Sequence, residues 1–189
     1  MKGKEMKKNL LVIISLVVVM SAVMVVPVVA AETGTSTITG NPGAAIDITV
    51  TGSISDWTLA VGSNTNATSV DLTVSSNKVG WTVAVKDNSD NGKPVSWAGR
   101  MVEWDGTSAY VTSPEVLGAN MTVEGATVSS STGSLVTLSQ TDNTIETGLD
   151  AVNAQSMDIT IGQAVAYTDP TLPDPNVYRI VVTFTGSVA

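Results

Sequence analysis

From Thr35 onward, apolar and polar residues alternate with a period of two, and the alternation comes in short runs. Ile46, Ile48 and Val50 are spaced by Asp47 and Thr49; Trp57, Leu59 and Val61 by Thr58 and Ala60; Val70, Leu72 and Val74 by Asp71 and Thr73. Trp81, Val83 and Val85 continue the pattern, as do Met157, Ile159 and Ile161, and finally Tyr178, Ile180, Val182 and Phe184. A period of two puts one set of side chains on each face of a strand, so each run predicts a strand with one buried and one wet face. Turn formers separate the runs: Gly52-Ser53, Gly62-Ser63-Asn64, Ser75 to Lys78, Asp87 to Gly92, Asp105-Gly106 and Ser129 to Gly133. Strands recurring at roughly 8–12 residues favour a sandwich or barrel over a βα fold. The expected class is all-β, a single antiparallel Greek-key sandwich of immunoglobulin-like type, with Trp57, Trp81, Ile159, Ile180 and Val182 in its core. Only Thr144–Ala154 leaves room for a short helix. Glu103–Tyr110 reads as a hairpin around Asp105-Gly106, and Asp169–Pro175, with three prolines, as an ordered loop without ladder bonds.

The first thirty residues follow a different rule. Lys2, Lys4, Lys7 and Lys8 precede an almost unbroken run of Leu, Val, Ile and Met over Leu10–Val26, which ends in Val28-Val29-Ala30-Ala31. A basic start, an apolar stretch and a small-residue end make a secretory signal helix, with cleavage near Ala30. The competing expectation is retention as a membrane anchor or filament helix, because Leu10–Ala31 is long enough to cross a bilayer. Either way the remainder faces the exterior, secreted or at the cell surface. The expected organisation is a signal over 1–31, an extended leader over 32–43 hinged at Pro42-Gly43, and the sandwich over 44–189.

Charge and composition narrow the function. Four of the nine Lys and Arg precede Leu10, against one of the seventeen acids, so the exported part holds five cations and sixteen carboxylates, net −11. Such a surface repels phosphate backbones, which excludes nucleic acid as the expected partner. With no cysteine there is no disulfide framework, so stability has to come from a buried core. With no histidine, Ser-His-Asp, Cys-His and His-zinc chemistry are ruled out. Accidental carboxylate pairs are inevitable among sixteen acids, and a short sandwich has few insertions from which to build a glycosidase cleft. The expectation is a protein that is not an enzyme and carries no cofactor apart from a calcium possibility.

Three groups of residues carry candidate chemistry. Asp87, Ser89 and Asn91 stand at positions one, three and five of a loop with Gly92 at six, as in a calcium loop, although position twelve is Ala98 rather than Glu. The alternative is a solvated Asx-rich turn. Trp97, Trp104 and Tyr110 lie in the irregular Pro94–Tyr110 region and could form an exposed platform on which a sugar ring stacks, or could pack within the hairpin. Asn66 and Asn120 each begin an Asn-x-Thr acceptor triplet for glycosylation.

The Gly80-Trp81-Thr82-Val83 strand, the Val116–Val123 block and the closing Tyr178–Thr185 strand resemble, in order and spacing, the WxL-type surface domains of bacteria and archaea. That family closes on a Tyr-x-x-x-Leu-Thr-Trp strand; here Val182 holds the Leu position and Phe184 replaces the Trp. The resemblance implies a noncovalent cell-surface domain with a structural or adhesive role, and partners among surface or wall components, including glycans. The plan of signal, leader and single Thr/Val-rich sandwich is also similar to filament subunits of the TasA and camelysin type. That second resemblance implies self-assembly, with the leader Glu32–Gly43 completing a neighbour's sheet through Ile38.

Overall fold

The computed structural model describes residues 39–88 and 92–188. The expected signal or anchor, its cleavage point near Ala30 and the leader through Ile38 lie outside the described residues, as do Ser89 and Asn91. Pro42–Ala189 packs as one unit.

Thirteen strands make up most of the regular structure of the described residues, and a short 3-10 turn spans Val95–Trp97. They are β1 (Ile46–Gly52), β2 (Gly62–Asn66), β3 (Val70–Ser76), β4 (Thr82–Asp87), β5 (Val102–Trp104), β6 (Thr122–Glu124) and β7 (Ser131–Gly133). Then follow β8 (Leu135–Thr137), β9 (Asn143–Gly148), β10 (Val152–Asp158), β11 (Thr160–Val165), β12 (Val177–Arg179) and β13 (Val182–Ser187). Every ladder is antiparallel. The strand orders are β1-β3-β10, β2-β11-β6-β8, β13-β4-β9-β7 and β12-β5, so most neighbours in space are distant in sequence.

Two long ribbons organise these sheets. β10 and β11 form one strand broken at Ile159, and they pair in turn with β3 and β2; the Ile159 amide donates to Val70 O across the break at 3.0 Å. In the same way β13 and β12 pair in turn with β4 and β5. Between Asp87 and Val102 one side of this second ribbon is much longer than the other, and its described residues 92–101 form an excursion from the sheet. Between the layers lies one core: Leu72 and Val74 of β3, Val83 and Val85 of β4, Ile145 of β9, and Met157, Ile159 and Ile161 of the β10–β11 strand. The all-β sandwich read from the alternation is the fold found.

Trp81 and Ile159 are fully buried, while Trp57, Ile180 and Val182 are half-buried and pack against the core from its margin. Trp81 is wedged against Gly148, where any added Cβ would collide with the indole ring. The indole N–H donates to Asp150 O at 2.9 Å.

Four local expectations fail, each for a physical reason. Trp57–Val61 forms no strand. Ile54, Trp57 and Leu59 pack on the core from the connection between β1 and β2, and Asn64 folds back to bond both the amide and the carbonyl of Ala60. Gly62–Asn64 is accordingly the start of β2 rather than a turn. Thr144–Ala154 is not helical: it supplies most of β9 and the beginning of β10. The turn expected over Ser129–Gly133 is confined to Ser129-Ser130, because Ser131–Gly133 pairs with β9.

Candidate functional site

Most residues with candidate chemistry gather around the 92–101 excursion and the β5 hairpin. Alternation along β4 turns Trp81, Val83, Val85 and Asp87 to the same inward face. Asp87 is therefore buried, and an acid there needs a partner. Lys93, equally buried, supplies it through an ion pair to Oδ2. The same oxygen accepts the Gly99 amide at 2.7 Å, and the ammonium also donates to Arg100 O at 2.6 Å. The excursion leaves the sheet at Asp87 and is pinned back to it by this buried pair. The first position of the expected calcium loop is thus taken up by an ammonium, and Ser89 and Asn91 lie outside the described residues. Among the described residues no cluster of three or more acidic side chains is placed to hold a metal ion.

The β5 hairpin returns as Trp104 bridges to Tyr110. Its turn is built by the Asp105 carboxylate, which accepts the amides of Thr107 and Ser108 at 2.7 Å and of Ala109 at 3.1 Å. Those amides, Ser108 first, hold the Asp105 carboxyl well below the usual carboxylate range. The hairpin around Asp-Gly is as the sequence implies.

The expected exposed stacking platform is not formed. Trp104 is only 8% exposed. The Arg179 guanidinium of β12 lies 4.1 Å over its ring, and Tyr110 meets it edge-on with centroids 5.1 Å apart. A face covered by a guanidinium is not open to a sugar. Trp97 is half-buried in its 3-10 turn, and Tyr110 is half-buried as well.

Neighbouring polar groups are bound into the fold too. Glu103 accepts the Glu115 amide at 3.0 Å and the Asn176 side-chain amide at 2.6 Å. Asp169 accepts the Gly118 amide at 2.9 Å and the Ala166 amide at 2.8 Å, which ties the start of the proline-rich loop to the segment before β6. The Tyr178 hydroxyl donates to Pro170 O at 2.9 Å. Burial first, then the carboxylates of Glu115, Asp169 and Glu103, push that phenol up to about 12, so it stays a donor at physiological pH. The loop is ordered without ladder bonds, as expected, and holds a cis Asp174–Pro175 bond.

The two glycosylation triplets differ. Asn120 donates its side-chain nitrogen to Leu138 O at 3.0 Å and accepts from Arg100 Nε at 3.3 Å, so a sugar there would break an internal bond. Asn66 accepts the amides of Thr68 and Ser69 through Oδ1, and its nitrogen is not used in these bonds.

Sequence reasoning missed Lys93, Arg179 and Glu146. Glu146 is fully buried in β9, lies against Gly125, and has no hydrogen-bond partner for either carboxyl oxygen among the described residues. A bulge explains it: Glu146 faces Val83 and Thr144 faces Ala84, which leaves Ile145 extra and turns both Ile145 and Glu146 inward. Burial pushes its carboxyl up to about 6.

Compared with known proteins, the chain matches no family model and no curated protein sequence.

Proposed function

We propose that this chain is an exported, non-enzymatic component of the cell exterior, structural or adhesive in role. The observation that carries this is the employment of its carboxylates. Asp87, Glu103, Asp105 and Asp169 each hold a lysine, a backbone amide or an asparagine within the fold, and so act as braces. The basic and apolar first thirty residues support export, and the acidic Thr-rich surface suits the exterior. The WxL-type resemblance agrees with this role.

A second reading, a filament subunit that lends its leader to the next copy, has one observation in its favour. Residues 42–45 are exposed and lead into β1, where the Asn77 side chain bonds Gly43 O at 2.7 Å and the Ala45 amide at 2.9 Å. An extended segment joined to an edge strand suits pairing with the sheet of another copy.

Fractionation of the producing cells, with determination of the protein's N-terminus, tests the proposal. Recovery outside the membrane, with a start near Ala31 or with the apolar segment retained in the membrane, is the expected result. Recovery in the cytoplasm with Met1–Ala30 attached would overturn it.

A further inference from the structure

The edge of the β1-β3-β10 sheet carries an inference that goes beyond the proposed function. β1 is seven residues long and pairs with β3 in an unbroken register. Asn77 N donates to Ala45 O, so within this register Asp47, Thr49 and Thr51 bond to β3. The Ile159 amide bonded to Val70 O agrees, since it turns the even-numbered residues of β3 toward β10. Ile46, Ile48 and Val50 therefore direct their N–H and C=O groups away from the sheet, and among the described residues no strand lies on that side.

Natural sheets blunt such edges with bulges, prolines, lysines or short strands. Most other edges of this molecule are blunted. β10 is bulged between Val152 and Gln155, with Ala154 at φ 52. β2 is five residues long with Asn64 folded back on it, and β7, β8 and β12 have three residues each. β1 has none of these devices, and its one charge is Asp47. Beside it in the other layer runs the plain edge of β13, where Gly186 lies against Ile46 and Ile48.

We infer that β1 pairs antiparallel with β1 of a second copy about a two-fold axis through Thr49. The strand is self-complementary in that register. Ile48 faces the partner's Val50 and Val50 the partner's Ile48, which puts outward-pointing residues opposite each other, as a hydrogen-bonded pair requires. Val50, 37% exposed in one copy, is covered. On the solvent face Thr49 meets Thr49, and Asp47 meets Thr51 rather than its own counterpart, so no like charges oppose one another. Two strands bury less than a standard interface of about 1,600 Å². The pairing is therefore reversible, and it is strengthened where the chain is concentrated at a surface.

The chain has no cysteine, which makes the register directly testable. Full-length chain carrying Thr49→Cys, mildly oxidised and run without reductant, is expected to give a disulfide dimer. Thr51→Cys alone stays monomeric, because its two copies lie four positions apart in this register, too far for a disulfide. A mixture of Asp47→Cys and Thr51→Cys chains forms the mixed dimer. In sedimentation, Thr49→Lys, an exposed change that leaves the core untouched, shifts the dimer to monomer, and mixing it with Thr49→Glu restores association. A Thr49→Cys chain that stays monomeric, or cross-linking equal at 49 and 51, would overturn the inference. The cross-link is read in a lysate as well as on cells, so it stands or falls independently of export.

Discussion

Single residues carry the most unusual energetics of this molecule, and Glu146 is the sharpest case. Its carboxyl is buried with no well-formed hydrogen bond among the described residues, and burial, opposed only by the nearby Ser131 hydroxyl, lifts it to about 6 from an ordinary 4.5. Between those values the folded chain binds more protons than the unfolded chain, so this group's contribution to stability falls as pH rises from 4.5 through 6 and then levels off. Glu146→Gln, neutral and of the same shape, is expected to unfold later than the parent at pH 7.5 by a margin on the order of 1 kcal/mol, and to differ little at pH 4.5. Thermal melts of both chains across that range measure it, and equal differences at both ends would count against it. Gly148 is the steric counterpart. A methyl group there enters the Trp81 ring, so Gly148→Ala is expected to cost roughly 1–3 kcal/mol in denaturant titrations followed by tryptophan fluorescence. Neither residue stands out in the sequence. Glu146 sits in a bulge that breaks the alternation, and Gly148 resembles any other strand-end glycine.

At the scale of elements, what was legible was whatever alternation alone decides. β3 and β4 fall on their predicted runs, and Leu72, Val74, Trp81, Val83 and Val85 are all buried. Asp87 continues the phase of that inward face in the structure, yet with its oxygen-rich neighbours it reads as an Asx-rich turn or a calcium loop; the deciding partner, Lys93, lies across an excursion whose path no local pattern encodes. The Trp104 site failed similarly, because Arg179 covers the ring from 75 positions away in sequence. Trp57–Val61 misled because a connection that lays apolar side chains on a core can alternate as a strand does. The excursion itself yields a prediction. Removing one member of its ion pair strands a buried charge, so Asp87→Ala or Lys93→Ala is expected to destabilise by about 3–5 kcal/mol. The double change Asp87→Ala with Lys93→Ala should cost far less than the sum of the two single changes. A double-mutant cycle from denaturant titrations reads the coupling, and simple additivity would show that the pair does not hold the excursion.

The described residues from Pro42 onward form a sandwich in which Asp87, Glu103, Asp105 and Asp169 serve as braces and β1 presents a long unblunted edge. Both properties are what the proposed structural role requires. The first thirty residues lead to the expectation of export, but the sequence contains no sign of the β1 edge, since strand order is a property of the folded chain. Gold labelling of the protein on intact cells, imaged by electron microscopy beside a strain lacking the gene, tests the structural role most directly. The account predicts label on the outer surface, with a surface layer, filament or adhesive contact that is lost in the deletion strain and returns with the full-length chain. Label confined to the cytoplasm, or a cell surface unchanged by the deletion, would contradict it.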